Sequence, residues 1–278
     1  MITHFNTMVK NEEVLLDSIL PIWSKYPVDL FVFYDDNSSD NTIDVIGKHL
    51  SPDRYVILND NLENFNESHN RNRMLEYSKS KCDYIFYIDA DELLSNSIVS
   101  NFNEVLKIYD KYNLNIYWYN VVDSLKTYRF DPQYQGAFGR FITSTKNIGK
   151  INEGAKFHTC TRFPESSLPV QYTKELGVIH LQSLNRRYYA IKQLWYKHYE
   201  SVKWQHTIDS INRKYDPVIN NFNFNLQQTP EIISKNINID SHIFEKMITS
   251  KGYLDYIKKN YNEELVTFGK IYLEYEKN

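Results

Sequence analysis

The stretch Tyr84-Ile85-Phe86-Tyr87-Ile88-Asp89-Ala90-Asp91-Glu92 decides the fold, because an unbroken apolar and aromatic run empties into three carboxylates. A continuous apolar run bounded by polar residues suits a strand covered on both faces, as in a sheet with helices packed on either side. In such sheets ligands sit at the carboxyl ends of the strands. Asp89 and Asp91 are two residues apart, so on extended backbone they share a face, where hard carboxylate oxygens hold Mg2+ or Mn2+ beside a substrate phosphate. The competing reading is a strand-end turn that caps the next helix, where Asp and Glu are common.

Toward the N-terminus the chain alternates strand and helix. Ile2 to Met8 reads as a first strand, and Asn11-Glu12-Glu13 opens a helix in which Leu15, Ile19, Ile22 and Leu16, Leu20, Trp23 recur at helical spacing. Pro21 is placed to kink its last turn. Val28 to Tyr34 reads as a second strand that ends in Asp35-Asp36-Asn37-Ser38-Ser39-Asp40-Asn41-Thr42. Ser39 or Asp40 can accept from the free N–H groups of a helix carrying Ile43, Ile46 and Leu50 inward. Tyr55 to Leu58 follows as a third strand, and a helix from Glu67 to Ser80 leads back to Tyr84. This alternation is the signature of right-handed crossover units building a mainly parallel sheet.

Past the carboxylates the pattern predicts a helix from Ser97 to Tyr112 and a strand from Ile116 to Val122, then loops and short strands over 123–170. Val178 to Leu181 reads as a short strand and Arg186 to Trp204 as a helix. Residues 205–278 read as helical, with Pro217 and Pro230 as breaks. The fold class is therefore α/β, a mainly parallel sheet flanked by helices, with a helical C-terminal extension. Residues 1–190 form the main domain and 191–278 the extension.

With 278 residues, 42% of them hydrophobic, the chain supports a full core. A net charge of −3 gives no general attraction to nucleic acid. No apolar run approaches the ~20 residues needed to span a bilayer. The two cysteines, Cys82 and Cys160, show neither metal spacing nor a disulfide framework, which points to a reducing, cytoplasmic compartment. Arg186-Arg187-Tyr188-Tyr189 opens a basic, aromatic helix suited to a diphosphate, an anionic acceptor or a peripheral membrane contact. An ordinary surface helix with snorkelling stems has the same composition.

Several of these stretches line up with one family. The first strand with Val9-Lys10-Asn11-Glu12-Glu13, the loop Asp35-Asp36-Asn37-Ser38-Ser39-Asp40, the helix start Asn70-Arg71-Asn72 and the segment Asp89-Ala90-Asp91-Glu92 follow in the order and spacing of an inverting, family 2 glycosyltransferase of the GT-A fold, which the chain resembles. The likeness is clear over residues 2–95, the nucleotide-sugar half, and thins through 96–190, the acceptor half. Asn37 stands where the family carries Gly, and Asn tolerates left-handed backbone better than most residues.

The resemblance implies a UDP- or dTDP-sugar donor, a divalent Mn2+ or Mg2+ ion, and a glycan, lipid-linked or protein acceptor. It implies that Asp36 hydrogen-bonds the base and that Arg71 lies near the diphosphate. Asp91 would bind the metal directly, Asp89 would reach the ribose or a metal-bound water, and His180 would complete the metal shell. Thr7, Val9, Glu12 and Arg187 join the donor-binding set. Glu153, in Ile151-Asn152-Glu153-Gly154, is the first choice for the base that takes the acceptor proton, with Asp123 and Glu92 in reserve. Each also has a structural reading: a helix-capping loop carboxylate for Asp36, a solvated helix residue for Arg71, a turn residue for Glu153 and a hydrogen-bonded core imidazole for His180. A sugar-phosphate nucleotidyltransferase is the nearest enzymatic rival, but Phe5-Asn6-Thr7-Met8-Val9-Lys10 lacks its Gly-rich phosphate loop. A carbohydrate-binding protein that has lost the chemistry is the non-enzymatic rival.

Overall fold

The computed structural model describes residues 1–62, 65–130, 138–148, 168–204, 208–220, 224–240 and 242–249. Four parallel strands build the first sheet: β1 (Thr3–Val9), β2 (Leu30–Asp35), β3 (Tyr55–Leu58) and β4 (Tyr84–Tyr87). Their spatial order is β3-β2-β1-β4, and a short antiparallel strand from Ile142 to Ser144 closes the far edge. Helices α1 (Glu13–Trp23), α2 (Thr42–His49) and α3 (Glu67–Lys79) connect the parallel strands. The register sets Asn6 of β1 opposite Val32 of β2 and Tyr87 of β4.

Period-2 alternation sends each strand's side chains to two cores. Phe5, Phe31, Phe33 and Phe86 pack with Leu15, Ile19 and Trp23 of α1 on one face. Val32, Tyr34, Ile85 and Tyr87 pack with Met74 and Leu75 of α3 on the other. Both faces are covered, so β2 and β4 read as apolar runs, while β1 also buries Thr3, His4, Asn6 and Thr7. Pro21 sits in the last turn of α1, whose first four N–H groups include that of Glu13, which donates to Asp40 Oδ2 at 3.2 Å. The other Asp40 oxygen accepts from the Thr42 amide at 3.0 Å, so one carboxylate serves the starts of both α1 and α2.

Beyond β4 the chain makes a second sheet. Its strands are β5 (Glu92–Leu94), β6 (Asn113–Val122), β7 (Ser124–Arg129), β8 (Phe138–Gly139), β10 (Val170–His180) and β11 (Leu226–Gln228), the strand Ile142–Ser144 being β9. The order is β11-β7-β6-β10-β5, with β8 paired to β6. Helices α4 (Asn96–Ser100), α5 (Phe102–Tyr109), α6 (Arg186–Trp204), α7 (Ile208–Asn220), α8 (Glu231–Ser234) and α9 (Ile243–Thr249) complete the described chain. None of the described helices is long and apolar enough to cross a membrane.

Four expectations need correction. The helix expected over Ser97–Tyr112 is two helices, broken at Asn101, whose backbone (φ −120°, ψ 31°) leaves the helical region. The short strand at Val178 is the end of an eleven-residue β10. Val170 and Tyr172 at its start are exposed, so no burial pattern marks them, and the pairing with β6 shifts register between Thr173 and Gly177. Pro217 lies inside α7 rather than breaking it. Leu226–Gln228, expected to be helical, pairs antiparallel with β7 although all three residues are exposed.

Candidate active site

The carboxyl ends of β1, β2 and β4 and the start of α3 meet at one edge. The loop after β2 is held by a web of short polar side chains. Asp36 donates its amide to the Val9 carbonyl at 3.0 Å, Ser39 donates to Asn11 Oδ1 at 2.7 Å, and the Asn11 amide donates to Ser38 Oγ at 2.9 Å. Asn37 is left-handed, with φ 59°, a backbone that Gly and Asn adopt more readily than other residues. Asp36 itself is buried, accepting from Lys10 Nζ at 2.7 Å and from Asn70 Nδ2 at 3.2 Å. Lys10 and Asn70 are therefore part of this site, although neither carries a role in the sequence reading.

Arg71 is buried on α3. Its guanidinium donates from Nε (2.8 Å) and Nη2 (2.6 Å) to Glu67 Oε1, lies 4.3 Å from the centre of the Tyr87 ring, and stands 3.8 Å from Asp89 Oδ1. Its Nη1 has no hydrogen-bond partner among the described residues. Thr7 Oγ1 and Glu12 Oε2 are likewise buried and unpartnered there. Burial, opposed by Lys192 and reinforced by Asp91 and Asp40, pushes the Glu12 carboxyl up to about 8.

The segment after β4 departs from the extended backbone that would put Asp89 and Asp91 on one face. It is a turn, closed by the Glu92 amide donating to the Asp89 carbonyl at 3.0 Å. Glu92 is fully buried, and its Oε2 accepts from the Asp89 amide at 2.8 Å. The two aspartates consequently face different partners, Asp89 toward Arg71 and Asp91 toward β10 and α6. The backbone of Asp91 is tied to the end of β10, where the Leu181 amide donates to its carbonyl at 2.9 Å.

His180, the last residue of β10, stands with Nε2 3.4 Å from Asp91 Oδ2. Its register partner on β6 is Asn120, and the two side chains meet, His180 Nδ1 to Asn120 Oδ1 at 2.6 Å. Asn120 Nδ2 donates to the Trp118 carbonyl at 3.3 Å, which leaves Oδ1 to accept from the imidazole. Asn120 Oδ1 thus holds a proton on His180 Nδ1, and Nε2 is the ring nitrogen that faces Asp91. The Trp118 ring stacks on the imidazole at 4.5 Å. A backing amide that fixes the tautomer and an imidazole nitrogen facing a carboxylate make a donor set that suits Mn2+ or Mg2+. Among the described residues no three His, Cys, Asp or Glu side chains converge as a metal-holding group.

Lys192 of α6 reaches the same carboxylate, with Nζ 3.6 Å from Asp91 Oδ2. Burial alone would raise the Asp91 carboxyl, but Lys192 and then His180 outweigh it and hold the group well below the usual carboxylate range. Asp123 sits just past β6 at φ 58°, half exposed, with Arg186 donating from Nε to Oδ1 at 2.7 Å and from Nη2 to Oδ2. Of the other expected site residues, Val9 is buried at the end of β1, Glu153 lies outside the described residues, and Arg187 is described only as backbone at the start of α6.

A parallel sheet with acidic loops at the carboxyl ends of β1, β2 and β4 is the architecture of the GT-A glycosyltransferases. The chain belongs to glycosyl transferase family 2, whose family model matches residues 2–167, more than half of its length. No curated protein matches it. Among solved structures, S. aureus TarS is similar at 13% identity with a TM-score of 0.49, over 70% of this chain and 40% of that one. A TarS 1–349 structure in complex with UDP-GlcNAc is 13% identical with a TM-score of 0.44, over 70% and 67%. The mannosyltransferase PcManGT from Pyrobaculum calidifontis, in complex with GDP-Man and Mn2+, is 11% identical with a TM-score of 0.48, over 70% and 61%. The chain thus spans less than two thirds of the length of PcManGT and of the longer TarS.

Proposed function

We propose that the chain is a metal-dependent, inverting glycosyltransferase that moves a single hexose from a UDP- or dTDP-sugar to a hydroxyl of a glycan, lipid-linked or protein acceptor. Residues 1–95 hold the donor and 96–190 the acceptor, and the buried free thiol of Cys82 suits a reducing, cytoplasmic setting. The observation that carries the reading is the facing pair of Asp91 Oδ2 and His180 Nε2, 3.4 Å apart, at the sheet edge where Asp36 and Arg71 also end.

Asp36 accepts a ring N–H of the base, while Lys10 and Asn70 hold its carboxylate in place. Arg71, anchored by Glu67, directs its unpartnered Nη1–H toward the diphosphate, and the Asp89 carboxylate lies beside it for the ribose. Asp91 and His180 would hold the divalent ion, whose chemistry there would be to offset the negative charge of the leaving diphosphate. Glu153 takes the proton from the acceptor hydroxyl as that oxygen attacks the anomeric carbon from the face opposite the leaving group. Glu92, fully buried, keeps the turn that aims Asp91, and Asp123, held by Arg186, borders the acceptor side.

Two variants separate these roles. Asp91→Asn is expected to abolish metal-dependent nucleotide binding, measured by calorimetry. Glu153→Gln is expected to bind nucleotide normally and to lose transfer. Full turnover by either variant rules out that residue's role.

A further inference from the structure

Lys192 has no place in the chemistry above, yet its surroundings aim it at the centre of the site. Tyr188, Lys192 and Tyr196 are spaced four apart on α6 and so share one helix face. Tyr188 is fully buried against Phe244, with ring centres 4.7 Å apart, and its ring centre is 5.5 Å from Lys192 Nζ. The Tyr196 hydroxyl accepts from Gln182 Nε2 at 3.4 Å, which fixes the next turn of the same face. Only a fifth of the Lys192 side chain meets solvent (20%), and the ammonium stands 3.6 Å from Asp91 Oδ2. That is the oxygen which His180 Nε2 also faces, at 3.4 Å.

A divalent ion bound to Asp91 and His180 would put two positive charges beside a third on Lys192, and like charges at contact distance repel strongly in a partly buried site. The ion and the ammonium therefore compete for one carboxylate oxygen. We propose that Lys192 is a tethered cation of the donor site: it neutralises Asp91 when no metal is bound, must withdraw when metal binds, and thereby sets the metal affinity. The proposal rests on the reading of Asp91 as a metal ligand. It also makes α6 responsive to loading, since withdrawal of Lys192 removes an ion pair that holds this helix face to the loop after β4.

The test is a titration of the full chain with Mn2+ alone, without nucleotide, followed by electron paramagnetic resonance of the free ion. Lys192→Gln is expected to bind Mn2+ at least ~10-fold more tightly than the unaltered chain, and Lys192→Arg, which keeps the charge, to stay within about threefold of it. Equal or weaker binding by Lys192→Gln overturns the proposal. The double variant Asp91→Asn, Lys192→Gln separates this failure from that of the functional reading. If it still binds Mn2+ as tightly as Lys192→Gln, the ion is not at Asp91 and the metal-site reading itself fails. Should Lys192→Gln not fold, the unaltered chain supplies the answer through acylation of lysines read by mass spectrometry. Saturating Mg2+ is expected to raise the labelling of Lys192 relative to the exposed Lys146 (70% exposed), and unchanged labelling overturns the proposal.

Discussion

Asn120 and His180 are sixty residues apart in sequence and 2.6 Å apart in space, joined by the parallel pairing of β6 and β10. The amide accepts from Nδ1 and leaves Nε2 to face Asp91, so the nitrogen proposed to meet the metal is set by a residue on the far side of the ring. Replacing Asn120 by Leu removes that control. Loss of an outer partner of this kind costs about 10–100-fold in metal affinity. Calorimetry of Mn2+-dependent nucleotide binding is expected to show that loss. An unchanged metal affinity would mean that His180 is not a ligand.

Arg71 is a buried cation whose described charge partners are Glu67 and Asp89. Arg71→Met leaves the Glu67 carboxylate, itself 11% exposed, without its counter-charge. Breaking a buried pair from one side costs about 3–5 kcal/mol, so urea unfolding is expected to show a drop of that size together with weaker diphosphate binding. Arg71→Lys keeps the charge but loses the two-nitrogen grip on Glu67 Oε1, and is expected to recover part of the stability.

Asn37 combines a left-handed backbone with side-chain bonds, its Nδ2 donating to the Leu62 carbonyl at 2.8 Å and its Oδ1 accepting from Asn59 Nδ2 at 3.0 Å. Asn37→Gly keeps the backbone and loses both bonds, a net cost of about 1 kcal/mol. Asn37→Val loses the bonds and strains the backbone as well, and is expected to be less stable than the Gly variant by about 1–2 kcal/mol. Thermal melts of the pair separate the two contributions.

His4, at the other end of β1 from the site, pairs its Nδ1 with Ser78 Oγ at 3.0 Å. Burial, aided by Lys81 and opposed by Asp29, lowers its imidazole from 6.5 to about 4. Between these values the unfolded chain binds the proton and the folded chain does not, so stability rises with pH across that window and levels off above about 6.5. The slope from this one group is at most ~1.4 kcal/mol per pH unit. His4→Asn is expected to flatten the denaturation midpoint between pH 4 and 6.5, and an unchanged slope would assign it to other groups.

The first sheet was legible because β2 and β4 are covered on both faces and read as apolar runs with acidic ends. Asp36 and Asp91 follow the ends of β2 and β4, Arg71 stands 3.8 Å from Asp89, and His180 reaches Asp91 from β10 of the second sheet. The turn at Asp89 stood only as the competing reading, because period-2 reasoning assumes extended backbone, and it leads into β5 rather than capping a helix. Asn120 and Lys192 were invisible for a different reason. Their roles arise from long-range packing, β6 against β10 and α6 against the loop after β4, and a polar residue on a strand or a lysine on a helix has a solvated reading by default. Val170–Thr173 of β10 and all of β11 lack buried alternation, so hydrophobic pattern had nothing to detect.

The most direct test of a nucleotide-sugar site is a thermal-shift panel of UDP, dTDP, GDP, CDP and ADP, each with and without Mn2+. A ligand present at a hundred times its Kd stabilises the folded state by about 2.7 kcal/mol, which raises the melting temperature by several degrees. The expected result is a rise with UDP or dTDP that requires Mn2+ and disappears in Asp91→Asn. A panel in which no nucleotide shifts the transition, with or without metal, would contradict the donor site and leave a carbohydrate-binding protein as the reading to pursue.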